Sequence, residues 1–175
     1  MFSIVTGRFN NETRDANYTY RKKHNYVCMY CCPSELSNKI PYNTLVFVIE
    51  MNNSTNKIEG IGLIRNNYET TRYYKVHSEG NTNRYTYIGK HFIDREKINA
   101  YNYKVVDILE EILFKGKTHS KRGSGLTLIP EKVLKFDICE CINFKREIKQ
   151  MFIYYYREKT EVDKEFENSE ENLEK

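Results

Sequence analysis

The strongest constraint on this chain lies near its centre, where two β-branched and apolar runs flank a short polar break. TLVFVIEM, residues 44–51, is rich in β-branched and aromatic side chains, the composition of a buried strand. NNSTNK, residues 52–57, is turn chemistry, and IEGIGLIRN, residues 58–66, reads as the return strand. Together they predict an antiparallel hairpin. Gly60 and Gly62 fall inside the return strand, where glycine marks a bulge or a close backbone approach.

Further strands and helices follow from the pattern on either side. Residues 72–80 and 84–93 are expected to pair as strands around the turn Asn81-Thr82-Asn83. DREKI, residues 94–98, and then residues 103–114 read as helical, with Val105, Val106, Ile108, Leu109, Ile112 and Leu113 as an apolar stripe. LTLI, residues 126–129, is a short strand, and Pro130-Glu131 opens a helical segment through Leu134. Residues 142–159 form the last helix. Residues 1–40 are polar and give no clear assignment beyond a basic cluster at 21–24 and a turn or helix start near Pro33. Several antiparallel strands with few helices define an α+β domain, whose sheet is expected to curve or close into a small twisted barrel with flanking helices. One globular domain is expected over residues 1–156, followed by an acidic tail over 157–175 that is too polar to build structure of its own.

Charge is unevenly spread along this organisation. The tail holds four basic and eight acidic residues, which leaves 24 basic and 16 acidic residues in 1–156. A basic body of that kind suits a protein that meets a polyanion. No run of roughly 18 apolar residues is present, so no membrane span is expected. The opening residues lack a long apolar run behind a basic segment, so no signal peptide is expected. The five cysteines are then expected as thiols or metal ligands in a reducing compartment.

The most basic stretch is KGKTHSKRGSG, residues 115–125. Lys115, Lys117, Lys121 and Arg122 surround His119, while Gly116, Gly123 and Gly125 let backbone N–H groups turn toward an anion. The spacing of a Walker A loop is absent, which argues against a nucleotide hydrolase. A second nucleic-acid candidate is the tyrosine strand, in which Arg84, Tyr85, Tyr87 and Lys90 resemble a platform for stacking unpaired bases. The alternative for its tyrosines is plain core.

Cys28, Cys31, Cys139 and Cys141 are the one candidate metal set, a tetrahedral zinc site, with buried structural thiols as the alternative. No other cofactor is expected. His24, His77, His91 and His119 are scattered, and no nucleophile motif surrounds a Ser, Cys or Asp. Catalysis would need partners met only in space, such as His119 with Cys31, and no enzyme is expected.

Two resemblances extend this reading. VFVIEMNNSTNKIEGIGLIRN, followed by the basic tyrosine strand, is similar to PUA-like domains of the EVE, ASCH and YTH type over roughly residues 40–135. That resemblance implies a small twisted barrel and a non-enzymatic reader of RNA or of a modified base held in an aromatic pocket. EVE and YTH pockets commonly use Trp, which this chain lacks, so its cage would use Tyr or Phe. EMNNSTNKIEGIGLIRN, NRYTYIGKHFIDR and FKGKTHSKRGSGLTLIP also resemble proteins of large nucleocytoplasmic DNA viruses of the mimivirus type. This second resemblance implies a viral protein made in the host cytoplasm or carried in the virion. The expectation is therefore a non-enzymatic nucleic-acid-binding protein that favours RNA or single strands. The alternative is a viral structural or host-interaction protein whose basic loop meets an acidic protein partner.

Overall fold

The computed structural model describes residues 2–116, 119–135, 137–139 and 141–157. Its centre is the expected hairpin. Strand β3 (Leu45–Asn52) is buried along its whole length, and β4 (Lys57–Arg65) returns antiparallel to it. The turn between them places Asn56 at a φ of 55°, a conformation that Asn tolerates. Opposite β4, Glu50 pairs with Gly60 and Met51 with Ile58, so Glu59 is left as a bulge.

A parallel neighbour joins this hairpin from the chain's start, where β1 (Phe2–Phe9) runs beside β3 over its full length. The complete sheet has five strands in the order β6-β4-β3-β1-β7, with β6 at His91–Asp94 and β7 at Leu126–Leu128. A separate two-stranded sheet pairs β2 (Cys28–Cys32) with β5 (Tyr85–Gly89). The class is therefore α+β with a mixed, mostly antiparallel sheet. Among the described residues the two sheets do not close into a barrel.

Alternation along β3 assigns its two faces to different layers. Leu45, Phe47, Ile49 and Met51 pack against α2 (Arg95–Phe114) and α3 (Phe144–Tyr156). Val46 and Val48 face the second layer, where they meet Tyr30, Cys32 and Tyr87 of the small sheet. The two segments expected as helical around 94–114 form one helix, kinked at Asn102, whose φ of −160° and ψ of 97° are not helical. Asp94 and Asn143 cap α2 and α3 by accepting from the N–H groups of Lys97 and Arg146, at 2.8 and 3.0 Å.

Two expectations need correction, and one stretch without a clear assignment gains one. Residues 2–32 form β1, α1 (Asn11–His24) and β2. Asn10 and Thr13 close a reciprocal capping box on α1, and Asn25 ends it in the left-handed region. Residues 72–79 form no strand, because the Val76 and His77 N–H groups donate to the Asn83 side chain, at 3.1 and 2.9 Å, in place of a ladder. The run 84–93 is not one strand: it breaks at Lys90, with β5 in the small sheet and β6 in the large one. The acidic tail from 158 onward lies outside the described residues.

Candidate nucleic-acid interface

Arg8, at the C-terminal end of β1, holds the basic loop in place. Its Nε donates to the Ser120 carbonyl, and one Nη donates to Thr127 Oγ1 at 2.9 Å and to the Gly125 carbonyl at 3.5 Å. From the β3–β4 turn, Asn53 donates to the Lys121 carbonyl at 3.0 Å. Gly116, Gly123 and Gly125 all adopt positive φ, so the backbone bends where the glycines stand. The Lys121 N–H donates to His119 Nδ1 at 3.4 Å. Lys115 is engaged in an ion pair with Glu111 at 2.6 Å. Arg122 is exposed and Lys121 half-buried, and neither has an ion-pair partner among the described residues. Lys117 lies outside the described residues.

The tyrosine strand divides differently from its expected use. Tyr85 and Tyr87 share one face of β5, and that face is the core side. Tyr87 is fully buried, its hydroxyl accepts from the Leu36 N–H at 2.9 Å, and burial pushes the phenol up to about 12. It has no free face on which a base could stack. Tyr85 is half-buried, edge-on to Tyr68 at 5.0 Å, with the exposed Arg84 guanidinium 5.3 Å from its ring centre. Lys90 is exposed at the break between the two sheets.

The four candidate zinc cysteines do not come together. Cys28 and Cys31 stand three residues apart on β2 and so point to opposite faces. Cys28 donates to the His91 carbonyl at 3.4 Å, and Cys31 lies 3.4 Å from Thr86 Oγ1. Cys139 packs into the α2–α3 core, while Cys141 is exposed. Among the described residues no group of three or more His, Cys, Asp or Glu side chains is arranged to hold a metal ion. Burial pushes Cys28 and Cys32 up to about 12 and Cys31 up to about 11, as expected for inert structural thiols.

Two features escaped the sequence. The first is a buried polar network. Glu50 stands on the second-layer face of β3, 5% exposed, accepting from the Tyr30 hydroxyl at 2.7 Å and pairing with Arg21 at 3.2 Å. Asn17 accepts from Arg21 at 3.5 Å and donates to the Met29 carbonyl at 2.9 Å. Burial raises the Glu50 carboxyl above its ordinary value, against the opposing pull of Arg21 and Tyr30. The Gly-x-Gly strand makes room for this network: a Cβ on Gly62 would sit 2.1 Å from the Tyr30 hydroxyl, and one on Gly60 would sit 2.4 Å from the Phe92 ring. A cleft of about 510 Å³ opens above it, walled by Phe9, Tyr18, Phe92, Arg14 and Arg95. Its arginines are paired, Arg14 with Glu59 at 3.3 Å and Arg95 with Glu110, so the cleft is close to charge-balanced.

The second feature is a basic and aromatic strip. The Arg72 guanidinium lies 4.5 Å from the ring centre of Tyr74 and bonds the Tyr20 side chain. Tyr20 stacks on His24 at 4.3 Å, beside the exposed Lys22 and Lys23 of the last α1 turn. The segment that carries Arg72 and the exposed Lys75 runs on to His77 and Thr82, which share a recess with Ser124 and Gly125 of the basic loop. Of this strip, Lys22 to His24 and the basic loop had a sequence signal, whereas Arg72 and Lys75 had none.

Comparison with protein-family models, with curated proteins and with solved structures returned no match for this chain.

Proposed function

We propose that this chain is a non-enzymatic nucleic-acid-binding protein that favours RNA or single strands. The supporting observation is the strip from α1 to the basic loop. Lys22, Lys23, Arg72, Lys75, Lys121 and Arg122 have no ion-pair partner among the described residues. The same segments carry Tyr20, His24 and Tyr73, the last 62% exposed. Cations without carboxylate partners release counterions from a phosphate backbone, and neighbouring flat rings give unpaired bases a surface to stack on. A PUA-like relationship belongs to the same reading and rests on the Gly-x-Gly strand. In that reading the cleft walled by Phe9, Tyr18 and Phe92 is the place for a modified base, in a chain without Trp.

The test is fluorescence anisotropy with labelled single-stranded RNA, single-stranded DNA and duplex, each over a salt series. Engagement of four cations on a single strand gives a slope of log K against log salt of about −3. Lys121→Ala with Arg122→Ala is expected to weaken binding and flatten that slope by about 1.4, and Arg72→Ala with Lys75→Ala by a similar amount. Flat titrations at low salt overturn the reading and leave the loop to an acidic protein partner.

A further inference from the structure

Arg8 and His77 form a feature distinct from the open cations of the strip. Both line a recess of about 190 Å³ at the C-terminal end of β1, together with Thr13, Cys31, Ser124 and Gly125. Asn83 grips the His77 backbone on both sides, accepting from its N–H at 2.9 Å and donating to its carbonyl at 2.8 Å. The side chain is thereby held at the recess, 7% exposed, with an Nδ1 that has no hydrogen-bond partner among the described residues. A buried polar nitrogen left in that state costs stability.

Arg8 has a matching deficit. It is half-buried, and no carboxylate pairs with it among the described residues. Its hydrogen bonds go to neutral atoms of the loop and of β7, which hold the guanidinium in place without cancelling its charge. Burial alone lowers its pKa, with no opposing pull from an acid. A desolvated cation without a counter-charge favours an anion. A neighbouring imidazole nitrogen favours an anion that can also exchange a hydrogen bond, and a phosphate has both properties.

Size and connectivity narrow the choice. The recess is smaller than the roughly 300 Å³ at which pockets begin to hold whole drug-sized ligands, so it takes one group of a larger molecule. An internal phosphodiester continues as chain on both sides, whereas a terminal monoester can enter a recess of this size end-on. We infer that this recess binds a phosphate monoester, the terminal phosphate of a nucleic-acid strand. The source of that phosphate rests on the proposed function; its chemistry rests on Arg8 and His77.

Two titrations of the full chain separate these layers. In the first, inorganic phosphate, uridine 5′-monophosphate and uridine are added while the His77 imidazole ¹⁵N resonances are followed. Phosphate and the monophosphate are expected to move them to saturation, while uridine and sodium chloride at matched ionic strength leave them in place. Arg8→Gln is expected to weaken the effect at least tenfold. His77→Phe keeps a flat ring without the nitrogens and leaves the loop anchored, and it is expected to weaken phosphate binding at least tenfold by calorimetry. Unmoved His77 resonances overturn the phosphate site. In the second, one RNA sequence carrying a 5′-phosphate, a 3′-phosphate or only hydroxyl ends is titrated by anisotropy. One phosphorylated end is expected to bind at least tenfold tighter, with the preference lost in His77→Phe. Equal binding of all three ends, with His77 moved by phosphate, overturns strand-end recognition and assigns the recess to a free monophosphate. Failure of all three to bind, with His77 still moved, overturns the nucleic-acid reading and again leaves the recess to a free monophosphate.

Discussion

Gly62→Ala adds one methyl group to the face of β4 that meets the small sheet. That carbon would stand 2.1 Å from the Tyr30 hydroxyl oxygen and 3.0 and 3.1 Å from two ring atoms. Tyr30 is 1% exposed, so its ring has little room to retreat, and its hydroxyl donates to the buried Glu50. Overpacking of this kind costs about 1–3 kcal/mol. Pulling the hydroxyl from a charged acceptor costs about 1.5–3 kcal/mol more. The sum is about 4 kcal/mol, a large share of the 5–15 kcal/mol or so that holds a typical domain together. Gly62 is not at positive φ. Without the contact, replacing glycine by alanine would stabilise the fold by about 0.4–1 kcal/mol through the unfolded chain. The sign of the effect therefore reports on Tyr30. A fall in Tm of roughly 8–16 °C is expected, with a matching drop in urea midpoint at unchanged m-value. Tyr30→Phe removes the offending oxygen, so the double variant should cost less than the sum of the two singles. A Gly62→Ala protein within about 1 kcal/mol of wild type, or strict additivity in the cycle, would refute this account.

Other outcomes follow from neighbouring geometry. Gly89→Ala places a carbon 2.1 Å from the Leu63 carbonyl oxygen, which is backbone and cannot swing away, so its urea midpoint should fall further than that of Gly62→Ala. The Glu50 carboxyl is raised by burial, so between its ordinary and raised values the folded state binds a proton that the unfolded state lacks. Stability from Glu50 is then full below that window and lost as pH rises through it; urea midpoints across the acid range should show this fall in wild type and not in Glu50→Gln. With a colourimetric thiol reagent at mildly alkaline pH, exposed Cys141 should react first, and Cys28 and Cys32, raised to about 12 by burial, only on unfolding. Fast reaction of all five thiols in the native protein would contradict the packing of β2.

Some of this structure was legible in the sequence, for local reasons. The hairpin of β3 and β4 needed only β-branched runs and a polar turn, and α2 and α3 needed only apolar stripes at helical spacing. The loop glycines were legible as bends because glycine carries its conformational freedom with it. Helix α1 was not legible because the side chains it buries are Asn17 and Arg21, which leave no apolar period to detect. The run 84–93 looked like one strand because nothing in it announces that its halves pair with different partners, β2 and β4.

The chain's own residues determined which segments extend, which coil and where cations concentrate, because those preferences belong to side chains and their near neighbours. Only the tertiary structure decided which side of each strand meets water. It turned Tyr87 into core, separated Cys28 from Cys139, and set Glu50 against Arg21 and Tyr30. It also brought Arg8 to the carbonyl of Ser120, 112 positions along the chain. Burial and pairing are properties of the assembled layers, and a residue's desolvation depends on partners that linear order does not reveal.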